Sequence, residues 1–355
     1  MTTLQQHQTQ SELFAEKALA NITGLLVTLM AGIGDRLGLF SVLAQEPVTC
    51  AELATRAQIN ERYAREWLNA MTCAGYIEYD PVTACFVLPA AHIPVLAQEG
   101  SVLSMSGMHQ ETIGVVSIIP QLLTAFRVGG GVSMDAYSAD VWEGMARLSH
   151  SWFEHFLVQQ WIPALPAVQE MLLRGVHVAD VGCGQGRALI KLAQAFPLSR
   201  FTGYDIFAPL VEAATANAQA AGVADRVSFR QLDVSEGLPQ QYDIITTFDM
   251  VHDAPDPRKL LCAIRQGLQP QGRYVCVEIS CSEKLEENIG MRGALLYSSS
   301  VLYCMTTSLA LGGAGLGTAG MPERLLRELC TEAGFSDVRR ASIEDRFNAL
   351  YAIIP

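Results

Sequence analysis

The chain has 355 residues, half of them apolar, enough to build two buried cores. Its 36 acidic residues outnumber 24 Lys and Arg, for a formal charge of -12, and the basic residues are scattered, which excludes a basic face for nucleic acid. Nine cysteines occur without a CxxC pair, so they read as reduced thiols, with no disulfide frame or zinc site, in a cytoplasmic protein.

The N-terminal "MTTLQQHQTQSELFAEK" lacks the basic start and apolar core of a secretion signal. From 12 to 45 the apolar residues Leu25, Leu26, Leu29, Ile33, Leu37 and Phe40 recur three or four apart, predicting a helix. "VTCAELATRAQI" and "NERYAREWLNAMTCAGYIEYD" predict two short helices, and "YIEYD…ACFVL" alternates like a hairpin, so this block reads as a winged helix. The second of these helices carries Glu61, Arg62, Arg65 and Glu66, a balanced face that suits dimerisation or substrate covering better than DNA. Residues 100–165 are again helical, broken at Gly129–Gly131 and bounded by Pro163 and Pro166.

Beyond that point strand-like runs at 176–181, 201–205, 227–232, 243–248 and 273–278 alternate with helical stretches, as in a parallel sheet covered on both faces. "FSDVRRASI" and "RFNALYAII" predict a terminal antiparallel hairpin. Thirty uncharged positions separate Arg292 from Glu323, but "YSSS", "MTTS" and "GGAGLGTAG" interrupt them, favouring a buried lid over a membrane span. The expected organisation is a winged-helix and dimerisation domain over 1–100, a helical connector over 101–165, and an α/β domain over 166–355 with a lid at 283–322.

"VADVGCGQG" places Asp180 at a strand end and Gly182, Gly184 and Gly186 in the loop after it. A dinucleotide fingerprint would need its third glycine at 187, where Arg187 stands. An acid at the strand end suits a cationic amine, while glycines and a helix start offer amides to a carboxylate; together these groups describe an amino-acid moiety.

These residues resemble the first motif of Rossmann-like, class I S-adenosylmethionine-dependent methyltransferases. "FTGYDI" and "FRQLDV" are similar to their next two motifs. "FEHFLVQQWIPALP", "VHDAPDPRKLLCAIRQGLQPQGRYVCVE" and "ENIGMRGALLYSSSVLYC" resemble the bacterial small-molecule group with an N-terminal winged helix, related to plant-type O-methyltransferases. The resemblance implies a mostly parallel seven-stranded sheet ending in an antiparallel hairpin. It implies S-adenosyl-L-methionine as cofactor, with Asp180, Gly182, Gly184 and Gly186 on the methionine side. Asp205 with Ile206 would hold the ribose, Asp233 with Val234 the adenine, and Phe248 with Asp249 would close over the cofactor. A homodimer and a small-molecule acceptor are likewise implied; the lid's tyrosines and methionine suit a largely apolar acceptor, and the charge and the interrupted uncharged stretch favour neither nucleic acid nor membrane as partner.

At the end of the fourth strand, "FDMVHDAPDP" offers His252 as a general base for an oxygen acceptor or as a packed, orienting residue. Related enzymes carry His-Asp-Trp here, whereas this chain has Ala254 in the third place. Neighbours on an extended strand point apart, so Asp253 is not expected to orient His252. Asp256 before Pro257 reads as a helix cap. Arg147, Ser151 and His155 recur four apart and would share a helix face toward the substrate, with solvent the alternative for Arg147. Tyr297, Tyr303 and Met305 would line the lid. A Mg²⁺ site on Asp249, Asp253 and Asp256 is disfavoured, because no matching Asp-Asn pair follows. Methyl transfer to nitrogen, sulfur or carbon by positioning, a cofactor-sensing winged-helix regulator and a silent binding module remain as other readings.

Overall fold

A computed structural model describes residues 9–345 and 347–355. The chain divides into two compact units, one reaching to Gly114 and including Glu143–Leu148, the other comprising Val115–Trp142 and Ser149–Pro355.

The first unit opens with α1 (Gln10–Arg36), started by a capping box in which Thr9 Oγ1 accepts from the Glu12 amide and Glu12 accepts from the Thr9 amide. The helix expected over 12–45 is two helices, because Gly38 at φ +67° turns the chain into α2 (Leu39–Leu43). A second capping box, Thr49 with Glu52, starts α3 (Cys50–Arg56), and Asn60 caps α4 (Glu61–Cys73). Strands β1 (Glu78–Asp80) and β2 (Cys85–Val87) pair antiparallel as the wing, and α5 (Ile93–Leu96) follows. Leu39, Phe40, Leu43, Leu53, Trp67, Leu68 and Met71 form the core, and the Trp67 indole donates to the Met30 carbonyl at 2.8 Å. On α4, Arg62 pairs with Glu66 and Arg65 with Glu61, so the face neutralises itself.

Most of α1 lies outside that core: Leu13, Phe14, Leu19, Ile22, Leu25 and Leu26 are exposed. By length and composition α1 is apolar enough to cross a membrane. After α6 (Ser106–Val116) and α7 (Ile119–Val128) comes α8 (Ala139–Trp152). Its Arg147 neither faces a substrate nor lies on a solvated face. The guanidinium donates to Asp35, Glu99 and Gln110, all within this unit, because one planar fork serves several acceptors at once.

In the second unit a π-helical stretch, Phe153–Trp161, precedes α9 (Pro166–Arg174). Then β3 (His177–Val181), α10 (Arg187–Ala195), β4 (Arg200–Asp205), α11 (Ala208–Ala220), β5 (Val227–Gln231), β6 (Tyr242–Phe248), α12 (Pro257–Gly267) and β7 (Leu268–Ile279) alternate. Helix α13 (Leu285–Asn288) carries two glutamates, and the uncharged segment begins within α14 (Met291–Ser299) and runs through a π-helical turn at Ser300–Cys304 and α15 (Met305–Ala310). Helix α16 (Glu323–Glu332) leads to β8 (Asp337–Arg340) and β9 (Asn348–Ile354).

The seven strands order as β5-β4-β3-β6-β7-β9-β8, parallel except for β9, which runs antiparallel to both neighbours. The order reverses between β3 and β6, so the loops after those strands open at one carboxyl-end crevice, where α/β sheets bind ligands. Two apolar clusters cover the faces, one around Ile245, Leu261 and Tyr274, the other around Leu157, Leu189 and Phe201.

Candidate active site at the carboxyl edge of the sheet

Asp180, the last residue but one of β3, has 2% of its surface exposed and accepts a 2.6 Å hydrogen bond from Thr246 Oγ1 on β6. Burial pushes its carboxyl up to about 7, the Thr246 bond holding it back and Asp205 adding to the rise. Gly182, Gly184 and Gly186 all have positive φ, and a Cβ on Gly186 would lie 2.4 Å from the Phe229 ring. The loop therefore needs glycine both for its turn and for its closeness to β5. Gly186 starts α10 without any side-chain cap, leaving the first-turn amides to other acceptors.

Asp205 ends β4. One of its oxygens accepts from the Gly184 amide at 2.9 Å and the other from the Phe207 amide at 3.0 Å, tying the glycine loop to the second strand. Burial raises its carboxyl and these amides oppose the rise. Ile206 beside it is exposed, whereas Val234 is buried. Asp233 is exposed and caps a short turn by accepting from the Ser235 amide at 2.9 Å. Phe248 packs against Phe153 and Trp161, with ring centroids 5.3 and 6.2 Å away.

The loop after β6 is not extended. Asp249 sits at φ +56°, rare outside glycine, and Val251–Asp253 forms a 3₁₀ turn. The turn folds Asp253 back onto its neighbour: His252 Nε2 lies 3.3 Å from Asp253 Oδ1, against the expectation that adjacent side chains diverge. His252 Nδ1 lies 2.7 Å from Glu278 Oε2, and Glu278 Oε1 accepts from the Val251 amide at 2.7 Å. Glu278 is 1% exposed, as is His252. Sequence reasoning missed Glu278; a lone acid in the apolar run "RYVCVEIS" was its signal.

Burial pushes the His252 imidazole down, but Asp253, Glu278 and Cys304 outweigh it and hold the ring well above its ordinary value. Burial raises Asp249 to about 7, with His252 opposing. Buried Oδ1 atoms of Asp249 and Asp253 have no hydrogen-bond partner. Cys304 Sγ accepts from Thr318 Oγ1 at 2.9 Å. Asp256 is the cap of α12, accepting from the Lys259 amide at 2.9 Å.

Tyr303 is buried where Asp253, Cys304 and Asp205 all act on its phenol. It packs on Tyr137 and Trp142 at 5.6 and 5.7 Å, and Trp142 lies 5.1 Å from Phe207. Met250 crosses over the glycine loop, since a Cβ on Gly182 would lie 2.8 Å from its side chain. The acids of the glycine loop and the His252 turn thus occupy one crevice. The other expected lining residues divide: Ser151 is buried, but His155 is exposed, because π-helical winding breaks the four-residue spacing. Tyr297 is half-exposed and accepts from Asn288.

Residues 172–319 match the family model described as a methyltransferase domain, and residues 25–98 match an Rv2258c-like winged HTH domain. A ubiquinone biosynthesis O-methyltransferase of Pseudomonas savastanoi pv. phaseolicola is 33% identical over 115 residues, 32% of this chain and 48% of that protein. An uncharacterized protein of Synechococcus sp. is 34% identical over 32% of this chain and 29% of its own length. The chain therefore spans about half or less of these relatives. Whole-chain similarity comes from solved structures. PigF with SAH has a TM-score of 0.75 at 20% identity, covering 98% of this chain and 100% of that one. The mitomycin 7-O-methyltransferase MmcR has 0.71 at 18%, covering 98% and 99%, and human N-acetylserotonin methyltransferase with SAM has 0.68 at 15%, covering 99% of each. At these identities the likeness is one of fold.

Proposed function

We propose, for a chain that belongs to the methyltransferase-domain proteins carrying an Rv2258c-like winged helix-turn-helix domain, that it transfers a methyl group from S-adenosyl-L-methionine to a hydroxyl of a small, largely apolar molecule. The observation carrying this reading is the meeting of the two halves of the site in one crevice: a loop built for an amino acid and a ribose, and a buried histidine backed by a carboxylate. The donor set fits the cofactor. Asp180 offers a carboxylate to an amine, the uncapped α10 start offers amides to a carboxylate, and Asp205 and Asp233 offer oxygens to hydroxyl and amino donors. When bound, the cofactor supplies an electrophilic methyl carbon on a sulfonium.

The chain's own task is to present the acceptor and take its proton. In the neutral ring the proton on Nδ1 is held by Glu278, leaving the Nε2 lone pair for the acceptor hydroxyl. Asp253 beside Nε2 stabilises the imidazolium that results. The aromatic wall of buried Tyr137 and Tyr303 with half-buried Trp142 suits an apolar acceptor. A second copy of the chain is proposed to cover the apolar residues of α1, making a homodimer. The solved O-methyltransferases of the same fold support oxygen as the accepting atom. Release of S-adenosylhomocysteine, measured across a panel of small hydroxylated aromatics, tests the reading: turnover of at least one phenol is expected, and turnover confined to amines or thiols would move the accepting atom.

A further inference from the structure

We propose that His252 Nε2, Asp253 Oδ1 and Cys304 Sγ form a three-ligand site for one Zn²⁺-class ion, with its fourth position open. The three residues place their ligand atoms within 4.8 Å of one another. The 3.3 Å between Nε2 and Asp253 Oδ1 matches the spacing of about 3.3–3.6 Å that zinc bond lengths impose between tetrahedral ligands. That Asp253 oxygen is buried and accepts no hydrogen bond of good geometry, its nearest cation being the His252 ring itself, so the oxygen faces both other ligands with its lone pairs uncommitted.

The surroundings are those of a ligand set as well. Glu278 holds Nδ1 at 2.7 Å, which fixes the ring and directs the Nε2 lone pair inward, as outer carboxylates do for metal-binding histidines. Thr318 Oγ1 donates to Cys304 Sγ at 2.9 Å and fixes where the sulfur sits. Among the described residues, Asp249, Asp253 and Glu278 have no ion-pair partner except His252, so a divalent cation would relieve three carboxylates crowded on one imidazole. Nitrogen, sulfur and one oxygen favour Zn²⁺ or Co²⁺ over Mg²⁺, and Asp256, needed for an all-oxygen site, is committed to its cap. The three ligands come from positions 252, 253 and 304, beyond the reach of any short spacing motif. The ion takes the lone pair that proton abstraction needs, so it blocks turnover; that consequence rests on the methyl-transfer reading, whereas binding does not.

The test is titration of chelator-stripped, full-length protein with Co²⁺, followed by displacement with Zn²⁺. One equivalent should bind, with a thiolate-to-cobalt charge-transfer band in the near ultraviolet that Zn²⁺ removes. Cys304→Ser should abolish the band and weaken binding at least about tenfold, whereas Cys73→Ser, at an exposed thiol, should change neither. If Cys304→Ser fails to fold, Asp253→Asn should weaken binding while keeping the band. No band in wild type, or a band lost with Cys73 and not with Cys304, would overturn the site. Zn²⁺ should also inhibit wild-type methyl transfer at one equivalent. Methyl transfer without metal binding would remove the site and leave the enzyme; metal binding without transfer to any acceptor would keep the site and remove the enzymatic reading.

Discussion

His252 is held from both sides, Nδ1 by Glu278 and Nε2 by Asp253, and the proposed base role gives its two nitrogens different tasks. Replacing it with Ala should lower kcat by about 10²–10⁴, the usual worth of a positioned base, and leave affinity for S-adenosylhomocysteine unchanged. Steady-state kinetics beside calorimetry separate the two, and a variant within threefold of wild type would reduce His252 to packing. Asp180 carries a pH signature with a definite sign. Its carboxyl in the fold is raised to about 7. A ligand amine favours the ionised form, so the affinity should rise as pH increases through about 7 and level off above it. The unliganded fold binds this proton more tightly than the unfolded chain, whose Asp titrates near about 4. Its stability should therefore fall as pH rises from there toward about 7. Calorimetric titrations at several pH values, and the same in Asp180→Asn, check both trends; a flat affinity profile in wild type would contradict the assignment.

The elements themselves were largely legible. Strands β3 to β7 lie where apolar runs alternate with helical spacing, and the wing lies where "YIEYD…ACFVL" alternates, because buried sheets and half-buried hairpins impose distinct periods. Three features were hidden for physical reasons. A single left-handed glycine, Gly38, splits the first long helical pattern; π-helical winding at Phe153–Trp161 scatters residues spaced for an α-helix; and the 3₁₀ turn at Val251–Asp253 joins neighbours that a strand would separate. The partners of His252 were hidden by distance, since Glu278 and Cys304 come from β7 and the lid. Arg147 shows the same limit on α8, its acceptors lying on α1, α6 and the segment between. Arg147→Ala should destabilise the unit that holds it by on the order of 2 kcal/mol, leaving Asp35 buried without its fork. Arg147→Lys should recover only part, since an ammonium has three donors where the guanidinium makes five hydrogen bonds. Denaturant unfolding of both variants measures this, and equal stability of Ala and wild type would show the network to be idle.

At the scale of the molecule, the proposed homodimer rests on the exposed apolar residues of α1. Light scattering coupled to size exclusion should give the mass of two chains, and Leu25→Glu with Leu26→Glu should shift it toward one. A monomeric wild type that sediments with lipid vesicles would instead make α1 a membrane contact. The most direct measurement concerns the crevice in which the two halves of the site meet. Isothermal titration of the folded wild-type chain with S-adenosylhomocysteine should show one site per chain, and Asp205→Ala should weaken it by about 1.5–3 kcal/mol through lost charge-assisted hydrogen bonds. Absence of any binding heat to folded wild-type protein, at concentrations where a millimolar complex would register, would contradict the account at its base.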